Sequence, residues 1–403
     1  PAPSTLQFRL GSVSTNEGAG KVVVSVQRTG SLTQAATVNY ETVSGTASER
    51  SDFTTTIGTL SFAAGEEEKI IEVLLTDDTL QEAAETFTLR LTNAAGATIG
   101  STSTTTVTLT DNDDAASSRT NMIDTLDGFV RQQYVDFLNR EPDAAGFQFW
   151  KSTLQGYLNA CGTADNAEAI TCRARAKASV SEAFFVSVEF QQTGYLVYRL
   201  YKTSFDPAAR PRGLPRYVEF LRDAQQLGSG VVVNSPGWEA KLNGNTETFV
   251  RELVQRSEFV ARYPTSMTAE QYVAALLTNA GLPLTGAEQQ AALAAYSTGG
   301  VEGRARALRS IAESDLLFRK EFNKAFVLMQ YFGYLRRNAD EGEDAPAERQ
   351  FKGYDFWLTK LNTESGDTAR FTTLDQLLAP TKRAQMVEAF VVTGEYRRRF
   401  GTE

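Results

Sequence analysis

At 403 residues, 41% hydrophobic and 22% charged, the chain is long enough for two or three domains with separate cores. A formal net charge of −9 leaves no basic face for nucleic acid, and the absence of histidine excludes His-containing triads, His-ligated zinc or haem, and an imidazole base. No apolar run approaches the roughly 18 residues that a membrane-spanning helix needs.

The opening Pro1-Ala2-Pro3-Ser4-Thr5 suits a mature secreted chain whose leader has been removed. Residues 1–113 then alternate apolar and polar positions in short runs broken by Gly, Asn, Ser and Asp. Leu6–Leu10, Lys21–Arg28, Ala36–Val43, Gly58–Phe62, Lys69–Leu75, Thr86–Leu91 and Thr105–Thr110 read as seven strands, with Val22, Val24 and Val26 on one face. Seven short strands without a helical pattern predict an all-β, Ig-like sandwich.

The acidity is concentrated here: residues 1–113 hold 6 basic and 14 acidic residues, against 34 and 35 in residues 114–403. Seven carboxylates fall in turns of the expected sandwich, Glu17, Asp77, Asp78, Glu82, Glu85, Asp111 and Asp113. Crowded carboxylates repel one another unless a cation sits among them, so these seven are candidate Ca2+ ligands. The competing reading is that they keep turns and strand edges soluble.

Several motifs resemble the Calx-beta module of sodium–calcium exchangers and secreted bacterial proteins. They are Asn16-Glu17-Gly18, Ser44-Gly45-Thr46-Ala47 with Ser51-Asp52-Phe53, and Gly58-Thr59-Leu60-Ser61-Phe62 with Gly65-Glu66. Asp77-Asp78 with Glu82, Glu85 and Phe87, and the closing Thr108-Leu109-Thr110-Asp111-Asn112-Asp113, complete the set. The resemblance implies a sandwich with calcium at one tip, held by Glu17 from an early turn, Asp77, Asp78, Glu82 and Glu85 from an acidic hairpin, and Asp111 and Asp113 from the end. Ser44 departs from the pattern, standing where the calcium-binding members place an aspartate.

Residues 114–122 have small polar composition and read as a linker. Beyond them the spacing turns helical, as in Val130, Tyr134, Phe137 and Leu138, so an all-α repeat domain is expected, divided into 123–263 and 264–403. A degenerate unit recurs about four times, typified by Leu138-Asn139-Arg140-Glu141-Pro142-Asp143 followed by Phe147-Gln148-Phe149-Trp150. It is similar to a bacterial helical family of unknown function that resembles phycobilisome linker domains. Asp143 suits a helix N-cap, and Phe149, Trp150, Phe356 and Trp357 are expected in the core. Arg397, Arg398 and Arg399 are expected as a solvated helix end.

Cys161 and Cys172 flank a short polar loop and are expected to form a disulfide, which implies an oxidising compartment. There is no Gly-rich phosphate loop, nucleophile elbow or redox Cys pair. The sequence therefore points to a secreted, non-enzymatic surface or structural protein, stabilised by Ca2+ and self-assembling into a filament or surface layer. An adhesin or carbohydrate-binding protein that contacts cell-surface glycans is the alternative.

Overall fold

The computed structural model describes residues 3–113, 120–208, 210–342, 350–366, 368, 371 and 382–401. Most of the expected linker, residues 114–119, lies outside them. The described chain divides into two compact units, residues 1–159 with 391–403 and residues 160–390.

The first unit opens with nine strands: β1 (Thr5–Phe8), β2 (Ser12–Asn16), β3 (Lys21–Thr29), β4 (Ala36–Ser44), β5 (Ile57–Phe62), β6 (Glu68–Leu74), β7 (Glu85–Ala95), β8 (Thr98–Ile99) and β9 (Thr104–Thr110). They form a four-stranded sheet, β6-β3-β1-β8, and a five-stranded sheet, β2-β9-β7-β4-β5. The inward positions pack Phe8, Val22, Val24, Val26, Val38, Phe62, Val73, Leu89 and Val107 into one core, while Val23 on the opposite face of β3 is exposed. The Phe53 and Phe87 rings stack within that core, 4.2 Å between centroids.

Two strands go beyond the seven expected. β2 carries a single apolar side chain, Val13, and β8 is two residues long, so neither has an alternation to read. β2 nonetheless sets the geometry of the acidic end. It pairs in parallel with β9 from Ser12↔Thr106 to Asn16↔Thr110, so Glu17 and Asp111 leave the sheet side by side. Glu85 opens β7 opposite Leu109, and Leu74, which ends β6, lies opposite Lys21. Four chain segments thus turn at one end of the sandwich.

The rest of this unit is helical. Thr125 caps α1 (Leu126–Gln133) by accepting from Gly128 N at 3.0 Å. A π turn, Tyr134–Leu138, follows and closes on Asn139 in the left-handed region at φ 52°. Asp143 accepts from Gly146 N at 2.9 Å at the start of α2 (Ala144–Cys161), the N-capping contact that its type favours. The C-terminal residues return to this unit: Met122 N donates to Phe400 O at 3.1 Å, and Asn121 Nδ2 to Arg397 O at 3.0 Å.

The basic run near the C-terminus is not the solvated helix end expected. Arg399 is buried against the Tyr396 and Phe400 rings and lies 3.4 Å from Asp136, while Arg397 pairs with Asp124 at 2.6 Å. Aromatic faces and carboxylates together make burial of a guanidinium tolerable here.

The second unit contains α3 (Ala167–Phe185), α4 (Val188–Gln192), α5 (Gly194–Ser204), α6 (Tyr217–Gly228), α7 (Trp238–Leu253), α8 (Ser257–Arg262), α9 (Ala269–Ala280), α10 (Ala287–Ala295), α11 (Gly300–Ala312), α12 (Asp315–Gly333) and α13 (Lys352–Ser365). The expected division at 263/264 falls inside it. Its centre is α5 and α12, whose Tyr195, Tyr198, Phe322 and Phe326 are excluded from solvent. Cys161 and Cys172 are joined in a disulfide with a Cα–Cα distance of 5.5 Å.

Two helical segments, one in each unit, share a local geometry. Arg140 lies over the Tyr134 ring at 5.0 Å and Arg337 over the Tyr331 ring at 5.5 Å. The hydroxyl of Tyr134 fills the space a Cβ on Gly146 would need, and that of Tyr331 does the same at Gly353. Leu154 and Leu361 are both buried. Between them, Phe149 is 62% exposed and Phe356 54% exposed, each edge-on to the following Trp, so the expected burial of these two phenylalanines is corrected. Helical spacing explains the difference: Phe149 is five residues before Leu154, and Phe356 five before Leu361, roughly 140° round the helix from the buried side.

Candidate metal centre

The turns after β2, β6 and β9, the start of β7 and the β4–β5 connection bring six carboxylates into two neighbouring groups. Glu17, Asp78 and Asp113 form one, and Asp52, Glu82 and Glu85 the other; within each, one oxygen per residue lies within 4.8 Å of the others. Asp111 joins Glu17, Asp52, Glu82 and Glu85 around a cavity of about 10 Å3, room for one water-sized sphere. Asp77 belongs to neither group; it is half-buried beside Glu17 and accepts from Asn112 Nδ2 at 3.1 Å. Asp52 was not nominated among the sequence-derived ligands. Its place in Ser51-Asp52-Phe53, next to a core phenylalanine, was the available signal.

The backbone holds these side chains in place. Asp111 accepts from Glu82 N at 2.7 Å through one oxygen and from Asp113 N at 2.7 Å through the other. Asp78 accepts from Leu80 N at 2.6 Å, and Asp52 from Ser48 N at 2.5 Å. These donors orient the carboxylates toward one another, yet they do not neutralise the group.

Burial, then the charges of Asp78, Asp111 and Asp77, push Glu17 from its usual 4.5 up to about 8, against a weak hydrogen bond from Asn112 N. Burial also raises Asp78 to about 7, aided by Glu82, Asp52 and Asp113 and opposed by the Leu80 N–H. Glu85 rises to about 7 through burial, then the charge and hydrogen bond of Asp52. Glu82 is raised by burial, Asp52 and Asp111. Such a group is costly to ionise without a cation and well suited to one. All the donors are hard oxygens, the chemistry that calcium takes with 6–8 ligands in flexible geometry.

A two-sheet sandwich with a converging acidic tip is a β-module whose carboxylates could hold a metal ion. Residues 2–113 match the Calx-beta domain family, and the N-terminal sandwich is a Calx-beta domain followed by a helical C-terminal region. The chain is similar to the extracellular matrix organizing protein FRAS1 of Mus musculus, 37% identical over 158 residues that cover 38% of this chain and 4% of the relative. It is also similar to sodium/calcium exchanger 1 of Canis lupus familiaris, 34% identical over 131 residues, 28% of this chain and 14% of that protein. Among solved structures, the calcium binding domain CBD12 of CALX1.1 is 35% identical, with a TM-score of 0.27, covering 28% of this chain and 47% of that one. The chain thus spans a small fraction of the curated relatives it matches. Among the described residues no helix is long and apolar enough to cross a membrane.

Proposed function

We propose that this chain is an extracellular, non-enzymatic structural protein whose leading sandwich binds Ca2+ and which self-assembles into a filament or surface lattice. The observation that carries the calcium reading is the convergence of six carboxylates, Glu17 and Asp78 buried among them, in two groups beside a small cavity. Glu17, Asp78 and Asp113 would hold one ion and Asp52, Glu82 and Glu85 a second, with Asp111 beside both. A bound cation would supply the positive charge that lets these groups stay ionised together. The Calx-beta assignment and the extracellular matrix protein among the relatives support the same reading.

Self-assembly draws on the sandwich edges. β5 and β2 border the five-stranded sheet, and β6 and β8 the other, offering backbone for strand addition by a neighbouring copy. The local geometry common to Tyr134–Leu154 and Tyr331–Leu361 supports a helical repeat array of the phycobilisome-linker type. Thermal melts in calcium, magnesium and EDTA test the first part: calcium raises the sandwich transition and magnesium does not substitute. Negative-stain microscopy tests the second, with ordered polymers expected in calcium; monodisperse particles with and without EDTA would defeat assembly while leaving calcium binding intact.

A further inference from the structure

The helical unit contains a cleft of about 490 Å3, far larger than the cavity in the acidic tip. That volume is within the roughly 300–1,000 Å3 of small-molecule sites. Its walls are the end of α4, one face of α5, the first turns of α7, the end of α11 and the start of α12. Eight of the twelve lining side chains are polar or charged, which suits a ligand with many hydroxyls better than an apolar one.

Arg199 is the unusual member. It is 5% exposed and sits over the Tyr195 and Phe318 rings at 4.7 and 5.1 Å. Its hydrogen bonds end on backbone carbonyls, Nε on Tyr195 O at 3.3 Å, Nη1 on Ala312 O at 2.9 Å and Nη2 on Gln191 O at 3.3 Å. No carboxylate of the described residues comes within ion-pairing distance; Glu313 and Asp315 act on it only from farther away. A guanidinium has five N–H groups, so these three bonds leave two uncommitted. A buried cation without a contacting counter-ion gives the cleft one point that favours an anion, while Glu239, an exposed lining carboxylate, keeps negative charge away from the α7 wall.

Other walls restrict what carries that anion. Trp238, the first residue of α7, gives a half-buried indole, the surface on which a pyranose ring packs its C–H face. Gln192 and Asn243 are exposed at the cleft; Asn243 Nδ2 donates one N–H to Glu247 Oε1 at 3.0 Å, which leaves its carbonyl and second N–H, and the Gln192 amide can both donate and accept. Arg309 is bound to Glu313, Nε to Oε1 at 2.9 Å, so that pair addresses hydroxyls rather than net charge.

We propose that this cleft binds an acidic saccharide of the hexuronate class, one or two rings long, with Trp238 beneath a sugar face, Arg199 at the carboxylate and the amides on the hydroxyls. The inference is independent of the calcium reading, because none of these residues belongs to the sandwich.

Calorimetric titration of the full chain with digalacturonate tests it, beside cellobiose as the neutral disaccharide and free glutamate as a non-sugar carboxylate at equal ionic strength. Saturable binding of digalacturonate is expected, at least about tenfold tighter than either control. Trp238→Ala should weaken it about tenfold or more while the thermal melt stays unchanged. Because Arg199 is buried and its replacement endangers folding, Gln192→Ala with Asn243→Ala is the second variant, expected to weaken binding without unfolding. Absence of saturable digalacturonate binding, equal binding of cellobiose or glutamate, or full affinity in Trp238→Ala would each overturn the proposal.

Discussion

Arg131 and Glu141 form a two-point pair, Nε to Oε2 at 3.0 Å and Nη2 to Oε1 at 2.5 Å, and the same guanidinium donates to two carbonyls of the sandwich. Nη2 reaches Gly20 O at 3.0 Å and Leu75 O at 2.9 Å, while Leu75 N itself donates to Gly20 O at 2.8 Å. Gly20 lies three residues after Glu17, and Leu75 three before Asp78. A side chain of α1 thus clamps the two turns that carry the most buried carboxylates of the metal centre.

Arg131→Met should therefore lower unfolding free energy by about 2–3 kcal/mol, since it strands a partly buried Glu141 and leaves the carbonyls short of a donor. It should also weaken calcium binding severalfold by loosening both turns. Arg131→Lys should recover only part, because an ammonium cannot fork between a carboxylate and two carbonyls. Denaturant unfolding and calcium titration of the three proteins check this. Unchanged calcium affinity in Arg131→Met would limit the clamp to a structural role.

The acidic tip makes a pH prediction for calcium-free protein. Glu17, Asp78 and Glu85 have folded-state values of about 8, 7 and 7, above the ordinary 4.5, 3.8 and 4.5. A raised folded pKa means that the folded state binds more protons than the unfolded one across that interval, so stability falls as pH rises. Their favourable contribution is whole below about pH 4 and is lost by about pH 8. The sandwich melt in EDTA should decline from pH 5 to pH 8, and saturating calcium should flatten that decline. Glu17→Gln should show a shallower slope in EDTA. A melt in EDTA that rises over this range would contradict the electrostatic account.

Glycines that look alike in sequence differ in what surrounds them. At Gly146 and Gly353 a Cβ would collide with the hydroxyls of Tyr134 and Tyr331, whereas Gly156, also inside α2, has nothing within 4 Å. Gly146→Ala and Gly353→Ala should each cost about 1–3 kcal/mol by overpacking. Gly156→Ala should stabilise by about 0.5–1 kcal/mol through helix propensity alone. Phe replacing Tyr134 should relieve part of the Gly146→Ala penalty, and a double-mutant cycle reads that coupling.

These glycines also show where sequence reading reaches its limit. The sandwich was legible because alternation at Val22, Val24 and Val26 survives any register, and six of seven nominated carboxylates line the tip because turn acids cluster wherever strands end together. Asp52 was hidden because its distance from Glu82 and Glu85 depends on tertiary folding across about 30 residues. β2 was hidden because an edge strand with one apolar side chain has no period to detect. In the helical part, spacing separates faces but not their neighbours. Phe149 and Phe356 are apolar by type, and their exposure is decided by which side of α2 and α13 faces solvent.

Asp223 provides the strongest stability test in the helical unit. It is fully buried, Arg256 grips both its oxygens at 2.7 Å, Arg222 Nε donates to Oδ1 at 2.7 Å, and Tyr201 donates its hydroxyl to Oδ2 at 2.8 Å. Burial alone would raise its pKa, but the hydrogen bonds and charges of Arg256 and Arg222 win and hold it below the usual value. A lowered folded pKa places the stabilising contribution above the unfolded value near 3.8, and it is lost as pH falls through the folded one. Asp223→Asn should cost about 2–3 kcal/mol at neutral pH, since it leaves the half-buried Arg256 and Arg222 facing a neutral partner. The same variant should lose less stability than the parent on acidification below about pH 4. Asp223→Leu with Arg256→Met, which removes both charges, should be less destabilised than either single change. Additive losses in that double variant, read by urea unfolding, would show that the two charges do not act as a pair.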